Sequence, residues 1–128
     1  MKSFDEEWMA RWANIVNSDD ELALMGKYLE GTLLVEFGDE KYLLHFRDGK
    51  WADMGRQDSG QKWDVAFIAP KDSWEKFATD PPPPGFTDLF AMSHPPEASL
   101  KLEGNLKFFW QNVRAIARVF EDMRRIGV

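Results

Sequence analysis

No cysteine occurs among the 128 residues, which removes disulfides, thiolate metal sites and cysteine nucleophiles together and suits a reducing compartment. Histidine is scarce. His45 and His94 are the two copies, and neither comes with a Ser-His-carboxylate spacing, a nucleophile elbow or enough further ligands for a metal. Apolar runs are short: nowhere do about 18 such residues follow one another, the length a membrane-spanning helix needs. The opening Met1-Lys2-Ser3-Phe4-Asp5-Glu6-Glu7-Trp8 is acidic and amphipathic, whereas a secretory signal is basic and then continuously apolar. The expectation is a soluble, cytoplasmic protein. Cations are also in deficit, with 16 Lys and Arg against 22 Asp and Glu and a net charge of -6. Binding to nucleic acid needs a concentrated basic surface, so no nucleic-acid partner is expected. Walker and G-x-G-x-x-G patterns are both missing, and no cofactor or metal is expected.

What the chain has in excess is aromatic surface: six Trp and ten Phe, within a hydrophobic share of 44%. That share is enough for one domain, residues 1–128, to bury its own core. Ser3 with Glu6 forms a capping-box pattern, followed at helical spacing by Phe4, Trp8, Trp12, Ile15 and Val16. A second box, Ser18 with Glu21, starts a helix through Leu22, Leu24, Met25, Tyr28 and Leu29 that Gly31 would stop. From Thr32 the apolar period drops from about 3.6 to 2. Leu33, Val35 and Phe37 alternate in one strand and Tyr42, Leu44 and Phe46 in the next, and Asp48-Gly49 turns the chain into a third strand, Lys50 to Met54. In Trp63-Asp64-Val65-Ala66-Phe67-Ile68-Ala69 both faces are apolar, which predicts a central strand covered on both sides.

Pro70 ends that strand, and Asp72 or Ser73 is placed to cap a short helix carrying Trp74 and Phe77. The run Pro81-Pro82-Pro83-Pro84-Gly85 forms a stiff polyproline-like spacer. Phe86 to Met92 reads as a second short helix, Pro95-Pro96 as a break, and Ala98 to Glu103 as a returning strand. Leu106, Phe109, Trp110, Val113, Ile116, Ala117, Phe120 and Met123 then make one apolar stripe on a single long terminal helix. Helices, an antiparallel sheet, short helices, a strand and a helix place the chain in the α+β class, with helices covering one face of the sheet.

At this point the chain resembles the sterol carrier protein type-two family from Phe4 to Met123. The hairpin Leu33 to Phe37 with Tyr42 to Trp51 carries the likeness, with Trp63-Asp64-Val65-Ala66-Phe67-Ile68 and the strand-turn-helix Leu100-Lys101-Leu102-Glu103-Gly104-Asn105-Leu106. The resemblance implies a five-stranded, mostly antiparallel sheet with helices on one side, enclosing an apolar tunnel that takes sterols, fatty acids or acyl-CoA. The four-proline run and the stretch Ser93-His94-Pro95-Pro96 depart from the family pattern near the expected tunnel mouth.

Its candidate ligand contacts are Trp74 and Phe77 from one short helix, Phe86, Leu89, Phe90 and Met92 from the next, and Phe109, Trp110, Ile116 and Phe120 from the terminal helix. Phe108 belongs with them. The first expectation is a protein that binds and carries a hydrophobic small molecule without catalysis. A second is a small enzyme or accessory subunit acting on an isoprenoid, steroid or acyl-thioester substrate, with Asp64, His45 or His94 as acid or base. Asp64 also has a structural reading as a strand carboxylate facing an edge or paired with Arg47 or Lys62. A third expectation is an interaction module whose aromatics and proline run dock an unidentified protein. Arg114, Arg118 and Arg125 share a helix face that could rest transiently on an anionic membrane.

Overall fold

The computed structural model of the protein describes residues 3–57, 60–93 and 99–126. Two helices come first, α1 (Glu6–Asn17) and α2 (Asp20–Met25), followed by strands β1 (Gly31–Phe37), β2 (Glu40–Arg47), β3 (Lys50–Arg56) and β4 (Val65–Ala69). Next come α3 (Lys71–Phe77), α4 (Leu89–Ser93), β5 (Lys101–Gly104), α5 (Leu106–Gln111), α6 (Val113–Glu121) and a 3-10 turn, Asp122–Arg125. The five strands form one sheet in the order β3-β2-β1-β4-β5. Only β1 and β4 run parallel; the other neighbours are antiparallel. The α+β class and the mostly antiparallel five-stranded sheet are as expected.

Several local expectations are corrected. Asp5, not Ser3, caps α1 by accepting from the Trp8 amide at 2.8 Å, and Asp19, not Ser18, caps α2. An aspartate one or two residues further along offers the same acceptor and fits the actual first turn. Gly26 follows the last residue of α2, while Gly31 begins β1. No side chain caps α3, whose preceding residue is Pro70. β1 is the central strand, and β4 lies between β1 and β5. Covering on both faces of β4 is nevertheless observed: Val65, Phe67 and Ala69 join the main core, and Ala66 packs with Leu34, Leu43, Trp63 and Ile68 on the other side.

The long terminal helix is also corrected, because it breaks at Asn112. There φ is -121° and ψ 18°, and the Asn112 side-chain amide donates to the Phe108 carbonyl at 2.9 Å. A side chain that occupies a carbonyl of the preceding turn competes with regular helix hydrogen bonding. The predicted single stripe splits accordingly: Phe109, Ile116, Phe120 and Met123 are buried, while Leu106 and Trp110 are left at the surface.

The core lies between the sheet and the helices and is built of interlocking rings. Phe4 stacks on Phe37 at 4.3 Å, Trp12 meets Trp51 edge-on at 4.9 Å, and Trp74 stacks on Phe120 at 5.4 Å. Such pairs add about 0.5–1.5 kcal/mol each beyond the area they bury. Polar tips are tied to backbone: the Trp12 indole N–H donates to the Val119 carbonyl and that of Trp74 to Glu36. The proline-rich connection after α3 is strapped down by Arg124, whose guanidinium donates to the carbonyls of Phe77, Phe86 and Thr87 at 2.8–2.9 Å.

Candidate functional site

Of the eleven side chains expected to line a tunnel, Phe108 is half-buried against the main core and the other ten divide into two groups. Trp74, Phe77, Leu89, Met92, Phe109, Ile116 and Phe120 are buried members of the main core, with Phe86 half-buried against them. Phe90 and Trp110 lie at the surface. The groups connect through ring contacts. Phe90 stacks on Trp110 at 5.7 Å, Trp110 meets Phe109 at 5.3 Å, Phe109 meets Phe67 at 5.9 Å, Phe67 meets Phe120 at 4.6 Å, and Phe120 stacks on Trp74. The route from surface to interior is therefore a continuous file of rings in contact.

At its outer end is a groove of about 300 Å³ between the α2–β1 connection and the α5–α6 break, lined by residues 25–26, 28–29 and 110–115. That volume is at the small end of ligand sites, which start near 300 Å³. Its walls are unusually exposed for their size: Tyr28 is 83% accessible and Trp110 59%, with Met25 near half. Two features hold the walls in place. Gly49, at φ 77° in the β2–β3 turn, donates to the Leu29 carbonyl, and a Cβ there would lie 2.6 Å from the Gly26 carbonyl oxygen. Only a glycine lets the turn support the connection this closely. On the other wall, the kink at Asn112 turns Trp110 outward.

Behind the groove, α2 is fastened to α6. Arg118 on α6 donates to Asp19, the cap of α2, at 2.6 Å and 3.2 Å, and lies 3.4 Å from Glu21. Asp122, also buried, stands 3.8 Å from the same guanidinium and 3.9 Å from Arg125, and its Oδ2 has no hydrogen-bond partner. The Arg118 hydrogen bond holds the Asp19 carboxyl far below the usual carboxylate range. Desolvation, reinforced by the neighbouring Asp19, pushes Asp122 up to about 7. A proton on Asp122 gives this pair of carboxyls one donor between them.

The acid-base candidates meet elsewhere, at the start of β1. Thr32 Oγ1 is 3.0 Å from His45 Nδ1, and the Thr32 amide donates to Asp64 Oδ2 at 2.7 Å. Asp64 therefore serves the backbone of β1, in place of the expected Arg47 or Lys62 pairing. The two candidates flank one threonine, but the aspartate does not orient the imidazole, so the relay that activates a nucleophile is not formed. His94 lies outside the described residues. Among the described residues no group of three His, Asp or Glu is placed to hold a metal, and no helix is long and apolar enough to cross a membrane.

A comparison of this geometry with solved structures identifies its architecture. A crystal structure of sterol carrier protein 2 aligns over 96% of this chain and 98% of its own, with a TM-score of 0.73 at 16% identity. This is the sterol carrier protein 2 fold. A Thermus thermophilus protein described as conserved, hypothetical and possibly a sterol carrier protein aligns equally well, with a TM-score of 0.73, 14% identity and 99% and 91% coverage. The ubiquinone synthesis protein UbiJ-SCP2 aligns with a TM-score of 0.61, 17% identity and 98% coverage of both chains. No family model matches the sequence, and no curated protein does.

Within this sterol carrier fold, several residues that form the groove escaped the sequence reading. Met25 and Tyr28 read as ordinary members of a helix, and Arg114 as one of three arginines on a common face. Arg118 is paired with Asp19 and Glu21, and Arg125 lies beside Asp122. The signal for the groove was Asn112, a residue with a competing side chain in the middle of an otherwise apolar helix.

Proposed function

We propose that the protein binds a hydrophobic small molecule and carries it without chemical change. The observation supporting this most directly is the unbroken file of ring contacts from exposed Trp110 to buried Trp74. A ligand starts in the groove between Trp110 and Tyr28 and advances as Phe90, Phe109 and Phe120 change rotamer. The remaining candidates, Trp74, Phe77, Phe86, Leu89, Met92 and Ile116, form the wall behind them. Flexible Met92 and Met25 suit ligands of varied shape. A ligand of roughly 25 heavy atoms, at about 0.3 kcal/mol per atom, gains about 7.5 kcal/mol, a dissociation constant of a few micromolar. Such affinity allows release as well as capture.

Native mass spectrometry on gently purified protein, followed by denaturing extraction, tests this reading. A stoichiometric lipid, sterol or acyl chain is the expected result. Protein that is empty and also fails to take up cis-parinaric acid overturns it.

The likeness to UbiJ-SCP2 favours a second reading, in which the same site presents an isoprenoid-type molecule to a partner enzyme. Here the bound molecule would leave only when that enzyme is added, whereas a free carrier exchanges it with vesicles alone.

A further inference from the structure

The large apolar side chains left exposed among the described residues are Leu24, Met25, Tyr28, Phe90, Leu106 and Trp110. They are gathered, not scattered. Met25, Tyr28 and Trp110 edge the same groove, Phe90 stacks on Trp110, and Leu106 precedes Trp110 by one turn of α5. Leu24, next to Met25, is 77% accessible, and Leu22 is the one residue of α2 that is buried. Single exposed apolar residues are ordinary, but a continuous group of them marks a surface that another molecule covers.

The charges around Leu24 indicate what covers it. Glu21 stands three residues before Leu24 and Lys27 three after; Asp20 stands four before and Tyr28 four after. All four side chains are exposed. Glu21 approaches Arg118 to 3.4 Å yet keeps 69% of its side chain in solvent. Residues three and four apart share a helix face, so acid lies at one end of this face, base at the other and leucine between. Such a surface is its own complement. Turned antiparallel on a copy of itself, with a two-fold axis at Leu24, it sets Glu21 opposite the partner's Lys27 and Asp20 opposite the partner's Tyr28, each twice.

We propose that two copies of the chain pair through this face, α2 antiparallel to α2, with Leu24 of each copy meeting at the axis and Glu21 to Lys27 ion pairs on both sides. The six residues of α2 cannot by themselves supply the roughly 800 Å² per partner of a standard interface, and Met25, Leu106 and Trp110 extend the apolar area beside them. A lipid surface fits less well, because Asp20 and Glu21 flank Leu24 and are repelled by anionic headgroups. An unrelated protein would have to mirror a pattern that a second copy already carries. The pairing does not depend on the carrier reading, since it concerns the outer face of α2 and not the interior of the fold.

Sedimentation velocity over a concentration series tests the proposal. The expected result is a monomer-dimer equilibrium that moves to dimer as concentration rises. Leu24→Asp should keep the chain monomeric. Glu21→Lys sets like charges against the partner's Lys27, and Lys27→Glu sets like charges against the partner's Glu21. Each should weaken pairing by about tenfold or more, because two attractive pairs become two repulsive ones. Mixing these two single variants restores both ion pairs between unlike copies, and the mixture should pair about as well as the unaltered chain. Thermal melts separate lost pairing from lost folding. Leu24 and Lys27 are exposed, so their variants decide the matter even where Glu21→Lys disturbs Arg118. An unaltered chain that stays monomeric throughout, a Leu24→Asp or Lys27→Glu variant that pairs as tightly as the unaltered chain, or a mixture of folded variants that pairs no better than its components overturns the proposal.

Discussion

Asp19 and Asp122 are both almost completely buried, and both face the single guanidinium of Arg118. The pair cannot both ionise at little cost, and Asp19, hydrogen-bonded to Arg118 and to the first turn of α2, keeps the charge. Asp122 is left to hold a proton up to about pH 7.

The consequence is a stability that falls as pH rises toward neutrality. Between its ordinary value of 3.8 and about 7, Asp122 binds more proton in the folded than in the unfolded state, so stability declines across that window. The loss is complete above it and amounts to at most about 4 kcal/mol, three pH units at about 1.4 kcal/mol each. Asp19 acts in the opposite sense: its contribution is present above the ordinary carboxylate range and disappears as pH falls below it. Urea unfolding should therefore give a higher midpoint at pH 5.5 than at pH 8. In Asp122→Asn the two midpoints should converge.

Core and groove aromatics should respond differently to truncation. Trp74→Ala and Phe120→Ala each remove a fully buried ring that stacks on the other, and should cost about 3–5 kcal/mol of stability. Trp110→Ala removes a ring that is mostly in solvent, and should cost under about 1 kcal/mol while reducing cis-parinaric acid uptake. Denaturant titration and fluorescence titration on the same three variants read both effects.

Asp64 and His45 should prove structural. Asp64→Ala leaves the Thr32 amide without its acceptor and should destabilise by about 1–3 kcal/mol. His45→Ala should change stability less, and probe uptake should survive in both. Retained uptake with loss of a chemical turnover would favour the enzyme reading.

Arg124 should not be replaceable by lysine. Its planar fork reaches three carbonyls from α3 through the proline-rich connection, and its guanidinium stands 4.4 Å from the Phe77 ring centre. One ammonium cannot span them. Arg124→Lys should raise the rate of proteolytic cleavage within residues 79–88 while leaving the groove intact.

The legible parts of the fold were those written in local pattern. Alternation marked β1 and β2, and Asp48-Gly49 marked their neighbour's turn because both residues accept the positive φ values found there, 53° and 77°. Leu100 to Leu106, with its Gly104-Asn105 turn, carried the likeness that the structural comparison supports at the level of fold. Cap positions were off by one or two residues because Ser3 and Asp5, like Ser18 and Asp19, offer similar acceptors, and packing chose between them.

The candidate site was harder to read, for the same physical reason in each case. Periodicity says that Phe109, Trp110 and Phe120 are apolar and in helix; it does not say that Asn112 bends the chain between them and sends Trp110 outward. Likewise, Arg118 and Asp122 are four residues apart, but nothing in the sequence links either of them to Asp19, 99 positions before Arg118.

Composition and alternation by themselves determined the α+β class, the antiparallel meander of β1 to β3 and the aromatic character of the interior, since these depend on which residues leave water and in what order. Tertiary structure alone decided which aromatics fill the core and which edge a groove, because that depends on where one helix breaks and which distant carboxylate claims an arginine.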